Sequence, residues 1–145
     1  MIENLKAATF DVFETMFFLL PEAFGDYEAA FNGQVFQAWT PVSGPISFRV
    51  GLTVPLPLAR KMAANFLGLG DHEPASEKLT DVIGEAANMV AGNFLSREQA
   101  SAAFQLKPPQ SVKLDGEAHK WRPHTHYLLF TVEDHCLEVF LEKPK

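Results

Sequence analysis

The chain reads as an α+β domain, an antiparallel β-sheet with long helices packed on one face. Three observations predict it. Some stretches carry apolar residues every three to four positions, the period of an amphipathic helix. Others alternate apolar and polar residues, the period of a half-buried strand. These stretches follow one another as helix, strands, helix, helix, strands. The 145 residues suffice for one sizeable core and leave little room for two, so a single domain over 1–145 is expected.

Residues 4–20 read as the first helix. Phe10, Phe13, Phe17 and Leu20 mark one apolar stripe, and Asn4 is the expected cap. Val12, Met16, Phe18 and Leu19 make it apolar over most of its circumference, with Asp11 and Glu14 as interruptions, so cover on more than one side is expected. Strands follow between Phe31 and Thr53, with Val35, Phe36, Ala38 and Trp39 in one of them and a turn over Pro41–Pro45. Ile46, Phe48, Val50, Leu52 and Val54 then alternate with Ser47, Arg49, Gly51 and Thr53. Leu56–Leu67 is a short helix with Pro57 in its first turn and Gly68 and Gly70 after its end. Asp71–Thr80 is a polar connector, and Thr80 or Ser76 is expected to cap the next helix, which starts as early as Glu77 and frays near Gly92-Asn93. Arg97–Ala103 is a small helix or turn. Phe104–Leu106, Val112–Leu114, Tyr127–Val132 and Cys136–Leu141 are strands, the last two joined by a hairpin-sized Glu133-Asp-His135.

Composition excludes several function classes. With 47% hydrophobic and 21% charged residues the chain should fold rather than stay disordered. A net charge of −6 without any basic stripe argues against a nucleic-acid partner. The apolar run Met16–Leu20 is too short to span a membrane and lacks the features of a signal peptide. One cysteine, Cys136, cannot form an internal disulfide, which fits a reducing compartment. A cytoplasmic protein with no membrane partner is the expectation.

The most informative stretch is Asp81-Val-Ile-Gly-Glu85-Ala-Ala-Asn88-Met-Val-Ala-Gly92-Asn93. At about 100° per residue, Leu79, Val82, Ile83, Ala86, Val90 and Phe94 share one stripe. Asp81, Glu85, Asn88 and Gly92 share roughly the opposite one, flanked by Gly84 and Ala91. A carboxylate and a carboxamide thus stand side by side among small residues. Glycine costs about 1 kcal/mol against alanine inside a helix, so two of them need a packing or contact reason. A surface that lets another backbone come close is that reason here, with Asp81, Gly84 and Gly92 as docking residues. The bland alternative is a solvated helix face.

The spacing Asp-x-x-x-Glu-x-x-Asn running into Met-Val-Ala-Gly-Asn resembles the signature helix of the CheC/CheX/FliY chemotaxis phosphatases, most of all CheX. That pattern expects a proline a little over twenty residues beyond the asparagine, and Pro108 and Pro109 follow Asn88 at about that distance. Val12-Phe-Glu-Thr-Met16 is similar to the first helix of CheX-type proteins, and Ile46–Leu67 to their strand–helix unit. The resemblance implies the same fold over nearly the whole chain and an aspartyl-phosphate phosphatase acting on a CheY-like response regulator. It assigns Asn88 to positioning the attacking water and Glu85 to pairing with a lysine of the regulator, with Asp81 in support. It implies no tightly bound cofactor, since the Mg2+ belongs to the regulator, and a homodimer formed through the sheet, for which the alternating C-terminal strands are candidates. Some relatives carry a second Glu/Asn pair on the first helix. Here Glu14 is followed three residues on by Phe17, so one active face is expected. Two rival readings are a regulator-binding adaptor without catalysis and a purely structural homodimer.

Other groups carry weaker chemistry. His124-x-His126 has metal-like spacing, with His119 and His135 in reserve, but an exposed strand edge explains it as well. Cys136 sits in an alternating strand with Leu137, Val139 and Leu141, which favours a buried thiol over a nucleophile. Asn93 is expected to satisfy backbone at the helix end.

Overall fold

A computed structural model describes residues 1–24, 31, 33–115 and 126–143. The elements run α1 (Ile2–Met16), β1 (Glu22–Phe24), β2 (Gln34–Ser43), β3 (Phe48–Pro55), α2 (Leu56–Leu67), α3 (Ser76–Arg97), β4 (Gln105–Leu106), β5 (Gln110–Asp115), β6 (His126–Val132) and β7 (His135–Glu142). Among the described residues the strands form one sheet of seven, ordered β1-β6-β7-β3-β2-β4, with β5 also on β2. Every pairing is antiparallel, as the alternating strands predict.

Alternation decides which side chains meet the helices. Phe36, Ala38 and Val42 of β2, Val50, Leu52 and Val54 of β3, and Leu137, Val139 and Leu141 of β7 lie in one buried cluster with the apolar stripes of α1, α2 and α3. Burying each large side chain of this kind contributes ~1.5–3 kcal/mol. Phe10 of α1 meets Phe130 of β6 edge-on at 5.6 Å between ring centres, and Phe17 meets Phe66 of α2 at 5.4 Å. The opposite face is more polar. There Gln37 Nε2 donates to Thr53 Oγ1, and that hydroxyl donates to the fully buried Glu138 carboxylate at 2.8 Å.

Several sequence expectations change in detail. β2 continues through Pro41 to Ser43, where a turn was expected. Pro41 is tolerated because β5 stops pairing at Trp39 and β4 resumes only at Val42, so its missing N–H falls in a gap of that edge. β3 begins at Phe48, leaving Ile46 exposed in the turn. α2 spans the expected Leu56–Leu67 and ends at Gly68 with φ +66°. α1 begins at Ile2 and stops at Met16, so Phe17 to Leu20 lie beyond it. Asn4 does not cap it; its carboxamide donates to the Glu98 carboxylate at the far end of α3. α3 has no side-chain cap at its start, from Ser76 or Thr80 or otherwise, and it does not fray at Gly92-Asn93 but runs on to Arg97, because Phe94 and Leu95 are buried. β7 is bonded on both sides, and β1 covers the outer side of β6 at Leu129–Thr131.

Candidate functional site

α3 is the element that builds the site. Leu79, Val82, Ile83, Ala86, Ala87, Val90, Ala91, Phe94 and Leu95 are buried against the sheet and its neighbours. What remains outward is a strip of Asp81, Glu85, Asn88 and Ser96, with Asn88 half-buried and the other three exposed.

Two walls border this strip. One is the segment from β4 to β5, which runs antiparallel to α3. Leu106 lies opposite Gly92, Pro109 opposite Gly84, and Ser111 donates its hydroxyl to the Thr80 carbonyl at 3.2 Å. A Cβ on Gly84 would sit 3.3 Å from Ser111 Oγ and 3.6 Å from Pro109 Cβ; one on Gly92 would sit 3.6 Å from Leu106 Cδ1. The segment these small residues face is therefore this chain's own, through the side chains of Leu106, Pro109 and Ser111, and the fit is tight only at Gly84. Gly84 is buried beneath Pro109 and offers no surface for docking, and Ala91 is fully buried as well, while Gly92 keeps partial exposure. Pro109, separated from Asn88 by twenty intervening residues of chain, thus packs one turn from that asparagine.

The other wall is α1, antiparallel to α3. Asn93 Nδ2 donates to Asp11 Oδ2 at 2.6 Å, Arg97 Nε donates to Asn93 Oδ1 at 2.7 Å, and the Arg97 guanidinium lies 3.7 Å from the same Asp11 oxygen. Asn93 thus joins two helices rather than satisfying backbone at a helix end. Sequence reasoning missed this seam. The i,i+4 spacing of Asn93 and Arg97 was its visible half, and Asp11 was its unmatched acid.

Glu85 and Asn88 make no hydrogen bond or ion pair with the described residues, and neither does Asp81. A carboxamide with both ends unengaged can accept from one group and donate to another while staying neutral at any working pH. A carboxylate one turn earlier offers a charge-assisted bond to an incoming cation. The first helix offers no second pair. Glu14 is exposed, but Phe17 is fully buried.

The remaining candidates separate. His119 and His124 lie outside the described residues. His126 is exposed at the start of β6, and His135 opens β7 opposite Val132. Among the described residues no three His, Cys, Asp or Glu side chains are grouped as metal ligands. Burial first, and the Glu138 carboxylate second, push the Cys136 thiol up to about 12, so it stays protonated and unreactive near neutrality. Among the described residues no helix is long and apolar enough to cross a membrane.

The family model described as chemotaxis phosphatase CheX matches residues 36–133. The chain is also similar to solved structures along almost its entire length. Against the chemotaxis protein CheX from Desulfovibrio desulfuricans the TM-score is 0.76 at 19% identity, covering 98% of this chain and 97% of that one. Against CheX from Vibrio vulnificus it is 0.72 at 22% identity, with 97% and 95% covered. Against a chain of the CheX–CheY–BeF3–Mg2+ complex from Borrelia burgdorferi it is 0.66 at 15% identity, with 98% and 97% covered. At these identities the likeness is one of fold. No curated protein matches.

Proposed function

The chain belongs to the CheX family of chemotaxis phosphatases, and from that premise we propose that it hydrolyses the aspartyl phosphate of a CheY-like response regulator with Asn88 and Glu85. One observation carries this reading. Glu85 and Asn88 stand one turn apart on the outward strip of α3 with no partner in the described chain, whereas Asn93, one turn further on, is consumed by Asp11 and Arg97. The resemblance of fold to a chain from a CheX–CheY complex supports a regulator as the partner.

The chemistry asked of this protein is small. An acyl phosphate is already activated, and the divalent cation the reaction uses is expected on the regulator. The helper must hold a water in line with phosphorus and keep other geometries out. The Asn88 carboxamide oxygen accepts a hydrogen bond from that water, and its nitrogen donates to a phosphoryl oxygen. Glu85 pairs with a lysine of the regulator, which fixes the register of docking. Asp81, one turn earlier and exposed, adds negative potential on the same strip. The docking surface is Glu85 and Asp81 together with the half-exposed backbone at Gly92.

The test is the decay of a phosphorylated CheY-like protein from the same organism, with and without this chain. Faster decay that requires Asn88 is the expected result. Binding without faster decay would make the protein an adaptor, and unchanged decay together with no binding would end the reading.

A further inference from the structure

The end of α1 carries an arrangement that the fold does not require. Beyond Met16 the chain folds Phe17 and Leu19 into the core, where both are buried. Backbone contacts make the stop. Leu19 N–H donates to the Phe13 carbonyl at 3.0 Å, and Asn65 Nδ2 donates to the Phe17 carbonyl at 2.7 Å. Between these anchors Phe18 adopts φ +56°, the left-handed region that glycine usually fills at a helix end. Its side chain gains nothing from the core, because Phe18 is 72% exposed. Leu20 is 71% and Met16 39% exposed. Glycine would close the same turn without steric cost and without an aromatic ring in water. A bulky residue at such a backbone position, exposed and clustered with other exposed apolar side chains, is the pattern of an interaction surface.

Its place in the fold and its charge say which partner suits it. Because α1 and α3 are antiparallel, the end of α1 lies beside the middle of α3. Met16 lines a groove with Met89, the residue that follows Asn88. On its other side Phe18 and Leu20 share a hollow with Glu22, Glu133 and Asp134. Phe18 and Leu20 are therefore bordered by carboxylates, whereas the Met16 groove carries Asp11 already paired with Arg97. A complementary surface is apolar at its centre and carries lysine or arginine at its edge.

We propose that Met16, Phe18 and Leu20 form an apolar docking rim that meets α3 at Met89, the residue after Asn88, and is occupied by an apolar, cation-bordered surface of the phosphorylated response regulator. The proposal rests on the phosphatase reading and adds to it a second, apolar determinant of partner choice. The anchored backbone presents the three side chains in a fixed arrangement, which lowers the ordering cost of docking.

Phe18→Gly separates folding from docking, because glycine is the better residue for the turn. With a CheY-like regulator from the same organism, activated by beryllofluoride and Mg2+, calorimetric titration should show Kd weakened about tenfold for Phe18→Gly, as for loss of a central aromatic anchor. Leu20→Asn should weaken it by a smaller factor. The Tm of Phe18→Gly should hold or rise, and turnover assays should place its loss in KM. Wild-type affinity in both variants, with Asn88-dependent decay intact, overturns the docking rim and leaves the phosphatase reading standing. A wild-type chain that neither binds the regulator nor speeds its decay overturns both. Self-association that Phe18→Gly abolishes while regulator affinity is kept assigns the rim to a second copy of the chain and also overturns the proposal.

Discussion

α1 and α3 lie side by side on the same face of the sheet, yet only α3 is left with chemistry to offer. Both carry a glutamate on an exposed surface, Glu14 and Glu85. Three residues beyond Glu85 stands Asn88, half-exposed and unengaged. Three residues beyond Glu14 stands Phe17, fully buried against Phe13 and Phe66. The helix has ended by then, and the turn after it sends Phe17 inward. α3 by contrast runs on past Asn88 for two more turns, held by Phe94 and Leu95 beneath and by the Asn93 seam to α1 beside it. Both helices supply core, but only α3 also leaves its Glu/Asn pair facing outward. The contrast is set by where each helix stops as much as by which residues it holds.

Phe17→Asn attacks this contrast most directly, since it writes a Glu-x-x-Asn pattern into α1. The expected outcome is a loss of ~3–5 kcal/mol in urea unfolding, from the vanished aromatic packing and a carboxamide forced into the core. No second active face should appear, so Phe17→Asn combined with Asn88→Ala should be inactive. Activity in that double variant would show that the burial of position 17 does not limit α1.

Asn88→Ala should lower the acceleration of phosphate loss by about 10²-fold, the scale of removing one preorganised polar group at a reacting centre. Its melting temperature should stay near that of wild type, because Asn88 has no partner in the described chain. Gly84→Leu probes the wall of the strip. A large side chain there must displace Pro109 and Ser111, and overpacking of this kind costs ~1–3 kcal/mol in a denaturant melt. An unchanged melt would mean that the segment from β4 to β5 yields freely.

Smaller effects are expected at the edges. Glu85→Ala should raise KM about tenfold, with a loss that shrinks as ionic strength rises, since an exposed carboxylate acts through a screened charge pair. Asn93→Ala should cost about 1 kcal/mol by removing the hydrogen bonds between α1 and α3. If it cost activity without stability, Asn93 would belong to the site rather than to the seam.

Much of this was legible in the order of residues because periodicity reports burial locally. The stripe of Leu79, Val82, Ile83, Ala86, Val90 and Phe94 is buried as its 3.6-residue period requires, and α2 occupies the stretch marked out by Pro57 and Gly68. The alternation through Phe48–Val54 and Leu137–Leu141 likewise put the correct side chains under the helices. Pro41 misled, because a proline reads locally as a turn and only the gap in its neighbouring strands makes it harmless within β2.

The amino-acid sequence was thus enough for the class of fold, the polar strip of α3 and the single Glu/Asn pair, all of which depend on residues close together along the chain. Contacts between distant residues decided the rest. Pro109 and Ser111 close over Gly84 and narrow the strip, and Asp11 takes Asn93 out of play. The backbone of Phe13 with Asn65 ends α1 so that Phe17 points inward and Phe18 outward. A helical period tells which face of a helix is apolar, but not which segment, arriving from far along the chain, will cover the other one.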